Sequence, residues 1–261
     1  MTMVISSVLQ NADYFVLLLF RVGALVASSP IFGRNTIPGM VKIGFIGVLT
    51  YLFFWIGPAP AVIEYATLFE FFLLIAREII LGVALAFVTN LFFTMVYTSG
   101  QLIDMQIGFG IVNVYDSQNN TQIPMVGNVL NIVMLIVFFL VDGHQRLIYI
   151  LFLTLEALPV GTLQIADGIS YVALEIFANA FALGVMIALP VLASGLILEV
   201  CFGAMVRTVP QMNMFVVGIP IKTMVGFIML SILIPIFVYF TDQIFSQMFS
   251  AIDLMFSTLS G

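Results

Sequence analysis

Charge is scarce in this sequence of 261 residues. Only 8% are Asp, Glu, Lys or Arg, and seven basic residues stand against thirteen acidic ones, a net charge of −6. Nucleic-acid recognition needs a basic face, so no nucleic-acid partner is expected. Histidine and cysteine are scarcer still, with one of each, His144 and Cys201. A single cysteine makes no internal disulfide, and neither residue has the companions that a multi-ligand zinc site requires. Catalytic signatures are missing too. The chain carries no phosphate-binding P-loop, no His-Glu-x-x-His and no Gly-x-Ser-x-Gly. Gly108-x-Gly110 is not a dinucleotide fingerprint, because Asn113 stands where the third glycine belongs. The expectation is a chain that is no enzyme and holds no cofactor and no metal.

What the sequence has in abundance is apolar surface. Hydrophobic residues make up 62%, including 26 Phe and 15 Met, and the mean hydropathy is +1.23. Soluble domains run near a quarter charged, so this composition belongs to the integral-membrane class, with lipid as the main solvent. A helix needs roughly 20 apolar residues to cross the hydrocarbon. Six runs qualify: Tyr14 to Phe32, Gly39 to Gly57, Ala66 to Ser99, Pro124 to Val141, Ile169 to Val200 and Met212 to Phe240. Leu147 to Leu158 is apolar but too short for a full span and reads as a re-entrant, interfacial or protein-buried helix.

These runs predict an all-α, polytopic membrane protein with about six long helices, treated as one domain over residues 1–261. The first run lacks the basic region of a signal peptide and reads as a retained helix. Arg34, Lys42, Arg207 and Lys222 fall on one side of the membrane, which places both termini on the non-cytoplasmic side. Pro190 and Pro235 interrupt the fifth and sixth runs and predict kinks. Small residues recur four apart, as at Ala180, Gly184 and Ala188, a spacing that lets helices approach closely.

Arg77 and Glu78 lie inside the third apolar run, where an unpaired charge is expensive. Adjacent helical residues point about 100° apart, so each needs a partner elsewhere. They serve either a structural ion pair with another helix or subunit, or an ion or proton relay. The stretch after the third run is unusual. It reads Gly100-Gln101-Leu102-Ile103-Asp104-Met105-Gln106-Ile107-Gly108-Phe109-Gly110, followed by Ile111 to Gln122 and then Pro124. It predicts a loop whose ends are polar and whose middle is apolar, through Met105, Ile107, Phe109, Ile111, Val112, Val114 and Tyr115. A solvated linker does not carry this composition. Such a segment either plugs or lines a pore by hydrophobic closure, or packs as a re-entrant loop.

Several blocks together resemble the FliR family of bacterial type III export-gate proteins (FliR/SpaR/HrcT/YscT). They are Pro38 with Val41-Lys42, Arg77-Glu78-Ile79-Ile80-Leu81-Gly82, Gly100 to Gly108, Asp142-Gly143-His144, and Arg207-x-x-Pro210-Gln211-Met212-Asn213 with Gly218-x-Pro220. The resemblance implies a noncatalytic subunit of the flagellar export gate, in the bacterial inner membrane at the flagellar basal body. It implies hairpins packed with FliP and FliQ homologues into a hetero-oligomeric helical channel, FlhB associated with that core and FlhA nearby. Unfolded polypeptides would be the cargo, and membrane lipid the surroundings.

The resemblance also makes Met105, Gly108, Phe109, Gly110, Ile111, Val112, Val114 and Tyr115 a channel plug. It makes Arg77 and Glu78 structural or inter-subunit contacts. The turn at Arg207, Pro210 and Gln211 becomes either a partner contact or a tight connection between helices. One departure is Asp116-Ser117-Gln118, where the family pattern has a proline soon after the aspartate. The alternative reading is a small-molecule secondary transporter with Arg77 and Glu78 near its site.

Overall fold

The computed structural model describes residues 11–60, 63, 65–109, 124–163, 168–209 and 213–260. Among them the chain is all-α, with seven helices and no strand. They are α1 (Ala12–Ser28), α2 (Gly39–Ile56), α3 (Leu68–Ile107), α4 (Met125–Leu140), α5 (Gly143–Ala157), α6 (Ile169–Thr208) and α7 (Met214–Ser260).

Proline sets several ends. The residue before a proline is pushed out of the helical region, and Ser29, Gly57 and Leu158, each preceding a proline, leave helical geometry as the caps of α1, α2 and α5. The start of α3 carries its own signal. The Thr67 hydroxyl accepts from Glu70 N at 3.3 Å while the Glu70 carboxylate accepts from Ala66 N at 2.6 Å, a reciprocal cap of the Thr-x-x-Glu type.

Three expectations change. The stretch from Gly100 is not loop: α3 continues to Ile107, because a glycine inside a helix is tolerated where another backbone lies close against it. The sixth run does not stop at Phe240 but continues to Ser260. Beyond Phe240 the buried residues Ile244, Phe245, Met248, Phe249, Ile252, Met255 and Leu259 keep helical spacing, so the helix persists where average hydropathy falls. Finally, among the described residues only α2, α3, α6 and most of α7 are long and apolar enough to cross a membrane, with a fifth candidate if α4 and α5 count as one broken span. The 17 residues of α1 stand at the lower limit for a full crossing, and the 16 of α4 just below it. Pro190 lies inside α6, and Pro220 and Pro235 lie inside α7; both helices continue through them.

The chain divides into two compact units. The first holds residues up to Leu91, Val141–Phe177 and Gln247 onward. Here α1 and α2 form an antiparallel hairpin, with Gly23 against Ile46 and the Tyr14 and Phe15 rings against Phe54. Phe53 stacks edge-on against Phe152 of α5, and Arg146 lies 4.1 Å above the Phe249 ring. The second unit holds Phe92–Leu140 and Ala178–Ser246. Its core includes the Phe138 ring between Phe93 and Phe245. The Ser99 hydroxyl donates to the Gly184 carbonyl at 2.8 Å, beside the close approach of Gly184 to Met95.

Candidate functional site

In the second unit, the last two turns of α3 explain the spacing of the Gly100 to Gly108 block. Gly100 is where α3 meets α4: a Cβ added there would stand 2.1 Å from the Gly127 Cα, backbone against backbone. One turn later, on the same face, the buried Asp104 carboxylate accepts from Val126 N at 3.0 and 3.2 Å. Val126 belongs to the first turn of α4, whose N–H groups have no partner within their own helix, and a carboxylate at a helix N-terminus is electrostatically favoured.

Other helices hold the same turn. The Gln106 side chain lies over Gly195 of α6 so closely that a Cβ there would meet its amide nitrogen. Ile107 fills the space that a side chain at Gly226 of α7 would need. Thr223 donates to the Ile107 carbonyl at 3.4 Å, and the Phe109 ring packs edge-on against Phe227 with centroids 5.6 Å apart. The helix then ends at Gly108, φ +97°, with the N–H groups of Gly108 and Phe109 both donating to the Asp104 carbonyl. A residue with a Cβ is strained there, which is the use of glycine at this position.

In the first unit, Glu78 meets Arg21, and both side chains are fully buried. Arg21 Nε donates to Glu78 Oε2 at 2.5 Å and Nη2 to Oε1 at 3.2 Å. Arg21 Nη1 donates to the carbonyls of Thr154 and Leu158 at 3.1 and 2.9 Å. Those carbonyls sit at the C-terminal end of α5, where the helix dipole favours a cation. Gly161 N, at φ +87°, donates to Glu78 Oε1 at 2.7 Å. One turn after Glu78, Gly82 brings α3 against α1: a Cβ there would stand 2.5 Å from the Arg21 carbonyl oxygen. A cation buried in an apolar helix bundle is stable only with such partners, and this one ties α1, α3 and α5 together.

Comparison with known proteins gives the family of the chain. The family described as bacterial export proteins, family 1, matches residues 12–248. The chain belongs to this family. It is 29% identical over 243 residues to the flagellar biosynthetic protein FliR of Escherichia coli K12, covering 92% of each chain. It is 29% identical over 245 residues to that of Bacillus subtilis 168, covering 92% of this chain and 93% of the relative. The protein of the same name from Aquifex aeolicus is 26% identical over 235 residues, covering 90% of each.

In this export-family chain the residues singled out from sequence fall as follows. Met105 is exposed on α3, Gly108 closes that helix, and Phe109 rests on Phe227. Gly110, Ile111, Val112, Val114 and Tyr115 lie outside the described residues. Glu78 is buried against Arg21, whereas its neighbour Arg77 is exposed. Arg207 is exposed in the last turn of α6, and Pro210 and Gln211 lie outside the described residues.

Sequence reasoning passed over Arg21, Asp104 and Gly127. The signal for Arg21 was present, since it is a lone charge in the middle of the first apolar run. Asp104 was visible as the one carboxylate in its block. Gly127 gave no signal apart from its partner.

Proposed function

We propose that this chain is a noncatalytic subunit of the flagellar type III protein export gate, in the bacterial inner membrane at the basal body. Its helices would assemble with FliP and FliQ homologues into a helical channel, with FlhB on that core and FlhA nearby, and unfolded flagellar polypeptides would pass through it. The naming of its relatives as flagellar biosynthetic proteins supports this reading.

The observation that carries it is the mismatch between helix length and membrane. Helix α7 has 47 residues and α3 and α6 have 40 each, about twice the roughly 20 that cross the hydrocarbon. Large apolar side chains remain exposed along these helices, among them Phe72, Tyr171, Leu174, Ile197, Val200, Phe227 and Tyr239. Apolar surface of this extent marks contact with other proteins or with lipid. Helices this long exceed what lipid alone covers, so partner subunits are the natural cover. Small residues let such helices pack closely where lipid supplies no hydrophobic drive.

Within the channel, the segment from Met105 through Tyr115 would act as the plug. Closing a pore by dewetting needs apolar side chains, which Phe109, Ile111 and Val112 supply, with Tyr115 adding an aromatic ring. Neither a proton relay nor a transporter site gains support from Glu78, since both of its oxygens are engaged by Arg21 and Gly161 N.

The test replaces residues 108–115 with a short Gly/Ser linker in the assembled complex. Small-ion leakage should rise while the mass of the complex stays the same. A complex that assembles and remains tight would remove the plug from the account.

A further inference from the structure

Helix α2, in the first unit, has two unlike sides. One packs on α1, through Phe54 against Tyr14 and Phe15 and through Ile46 against Gly23. The other is apolar and open. Met40, Ile43, Val48, Leu52 and Ile56 are exposed on it, and among the described residues nothing lies within 4 Å of a carbon added at Gly44 or Gly47. The length of α2 also sets it apart. It has 18 residues, against 40, 40 and 44 in the other three candidate spans. At 1.5 Å per residue it extends about 27 Å, close to the roughly 30 Å of hydrocarbon in a bilayer.

Its two ends differ in chemistry. Between Asp13 and Glu64 the chain has no acidic residue, whereas Arg34 and Lys42 stand at the turn that joins α1 to α2. There Lys42 Nζ donates to the Gly33 carbonyl at 2.8 Å. At the far end Tyr51 and Trp55, one turn apart, are both exposed, with ring centroids 6.4 Å apart. The Tyr65 hydroxyl and the Asp13 carboxylate meet at this end too, Asp13 being next in the chain to Tyr14. Basic residues collect on the cytoplasmic side, where anionic headgroups attract them, and Trp and Tyr rings settle at the headgroup level.

We infer that the open face of α2 is a lipid contact. It lies against acyl chains, with the Arg34 and Lys42 turn among anionic headgroups on the cytoplasmic side and Tyr51 and Trp55 in the opposite headgroup layer. This deepens the inner-membrane placement above and rests on it. A partner helix would ask only for an apolar strip. Here a basic end, an apolar middle and an aromatic end follow in the order of the layers of a bilayer, over a length that fits one. The surface of the chain thus divides: the overlong α3, α6 and α7 turn to partner subunits, and α2 turns to lipid.

The test uses the complete complex, purified from its host into nanodiscs of phosphatidylethanolamine and phosphatidylglycerol. This chain carries Cys201→Ser and one spin-labelled substitution, Ile43→Cys, Val48→Cys, Leu52→Cys or Ile56→Cys. Collisions of the label with oxygen, which concentrates among acyl chains, are compared with collisions with a water-soluble nickel chelate, and native mass is read on the same samples. Oxygen should dominate at Val48 and Leu52, and nickel collisions should rise toward Ile43 and Ile56. Trp55 is the single tryptophan of the chain, so its depth is read without substitution. In vesicles of the same lipids, the fluorescence of the purified chain should be quenched more by bromine near the headgroup than by bromine at the acyl end.

Few collisions with either reagent at Val48 and Leu52 of an intact complex mean that another protein covers the face. That result overturns the lipid contact and leaves the export-gate reading standing. Dominant nickel collisions there put the face in water and overturn it as well. Stronger quenching of Trp55 from the acyl end contradicts the order of layers. Oxygen-dominated labels in a chain that runs without partners would keep the lipid face and remove the gate subunit.

Discussion

Arg21 and Glu78 lie 57 positions apart in the chain and meet at 2.5 Å, both fully buried. Removing one member strands the other's charge among apolar helices, and losses of about 3–5 kcal/mol are typical when a buried pair is broken from one side. Arg21→Ala and Glu78→Ala should each destabilise the purified chain by that order. Arg77→Ala, one position from Glu78 but exposed, should change stability by less than about 0.5 kcal/mol. The double variant Arg21→Met with Glu78→Leu should recover most of the loss, because an apolar replacement leaves no stranded charge. Thermal unfolding in detergent reads all four. Equal effects at positions 77 and 78 would contradict the account.

The glycines divide into two groups with opposite expectations. At Gly100 and Gly82 the space for a side chain is taken by backbone atoms of α4 and α1, so an alanine forces helices apart and should destabilise by about 1–3 kcal/mol. At Gly44 and Gly47 in α2 nothing lies within 4 Å of the added carbon. An alanine there should stabilise the isolated chain by about 0.5–1 kcal/mol, the ordinary helical advantage over glycine. Finding the same sign at both groups would count against the packing described.

Tyr65 lies between α2 and α3, and its hydroxyl donates to the Asp13 carboxylate at 3.0 Å. That hydrogen bond, with smaller contributions from desolvation and the Asp13 charge, raises the phenol above its ordinary value. The folded state thus favours the protonated phenol. Its contribution to stability is fully present below the ordinary phenol pKa and is lost as pH rises through the raised value. In a spectrophotometric titration of the tyrosines, Asp13→Ala should move one transition down toward the ordinary range. No change would show that the contact does not persist in solution.

Much of the helical frame was legible. The run from Gly39 to Gly57 became Gly39–Ile56, and the short Leu147 to Leu158 piece became part of Gly143–Ala157, because apolar runs and the Ser29-Pro30, Gly57-Pro58 and Leu158-Pro159 steps act locally. Boundaries failed where the deciding force was distant. Gly100 looked like a turn until Gly127, 27 positions later, showed why a glycine stands inside a helix. The end of α7 was hidden because hydropathy averages over all faces, while helicity beyond Phe240 follows one buried stripe.

The sites were legible as residue types rather than as partnerships. Glu78 stood out because a charge in an apolar run is conspicuous. That it faces Arg21 and the amide of Gly161 depends on three separate stretches meeting, which no local spacing encodes. The polar and small residues from Gly100 to Gly108 were visible as a block. Their division of labour became readable only with four helices in place: Gly100 for close approach, Asp104 for the bridge to α4, Gln106 over Gly195, and Gly108 for the helix end.

The central claim is that this chain functions as a subunit of a hetero-oligomeric export channel. The most direct test is the native mass of the protein extracted in mild detergent from its own host, with every co-purifying chain identified. The account predicts a large complex containing two other small helical membrane proteins, the FliP and FliQ homologues, in fixed proportion to this chain. A monomer or homodimer of the same solubility, with no such companions, would contradict it.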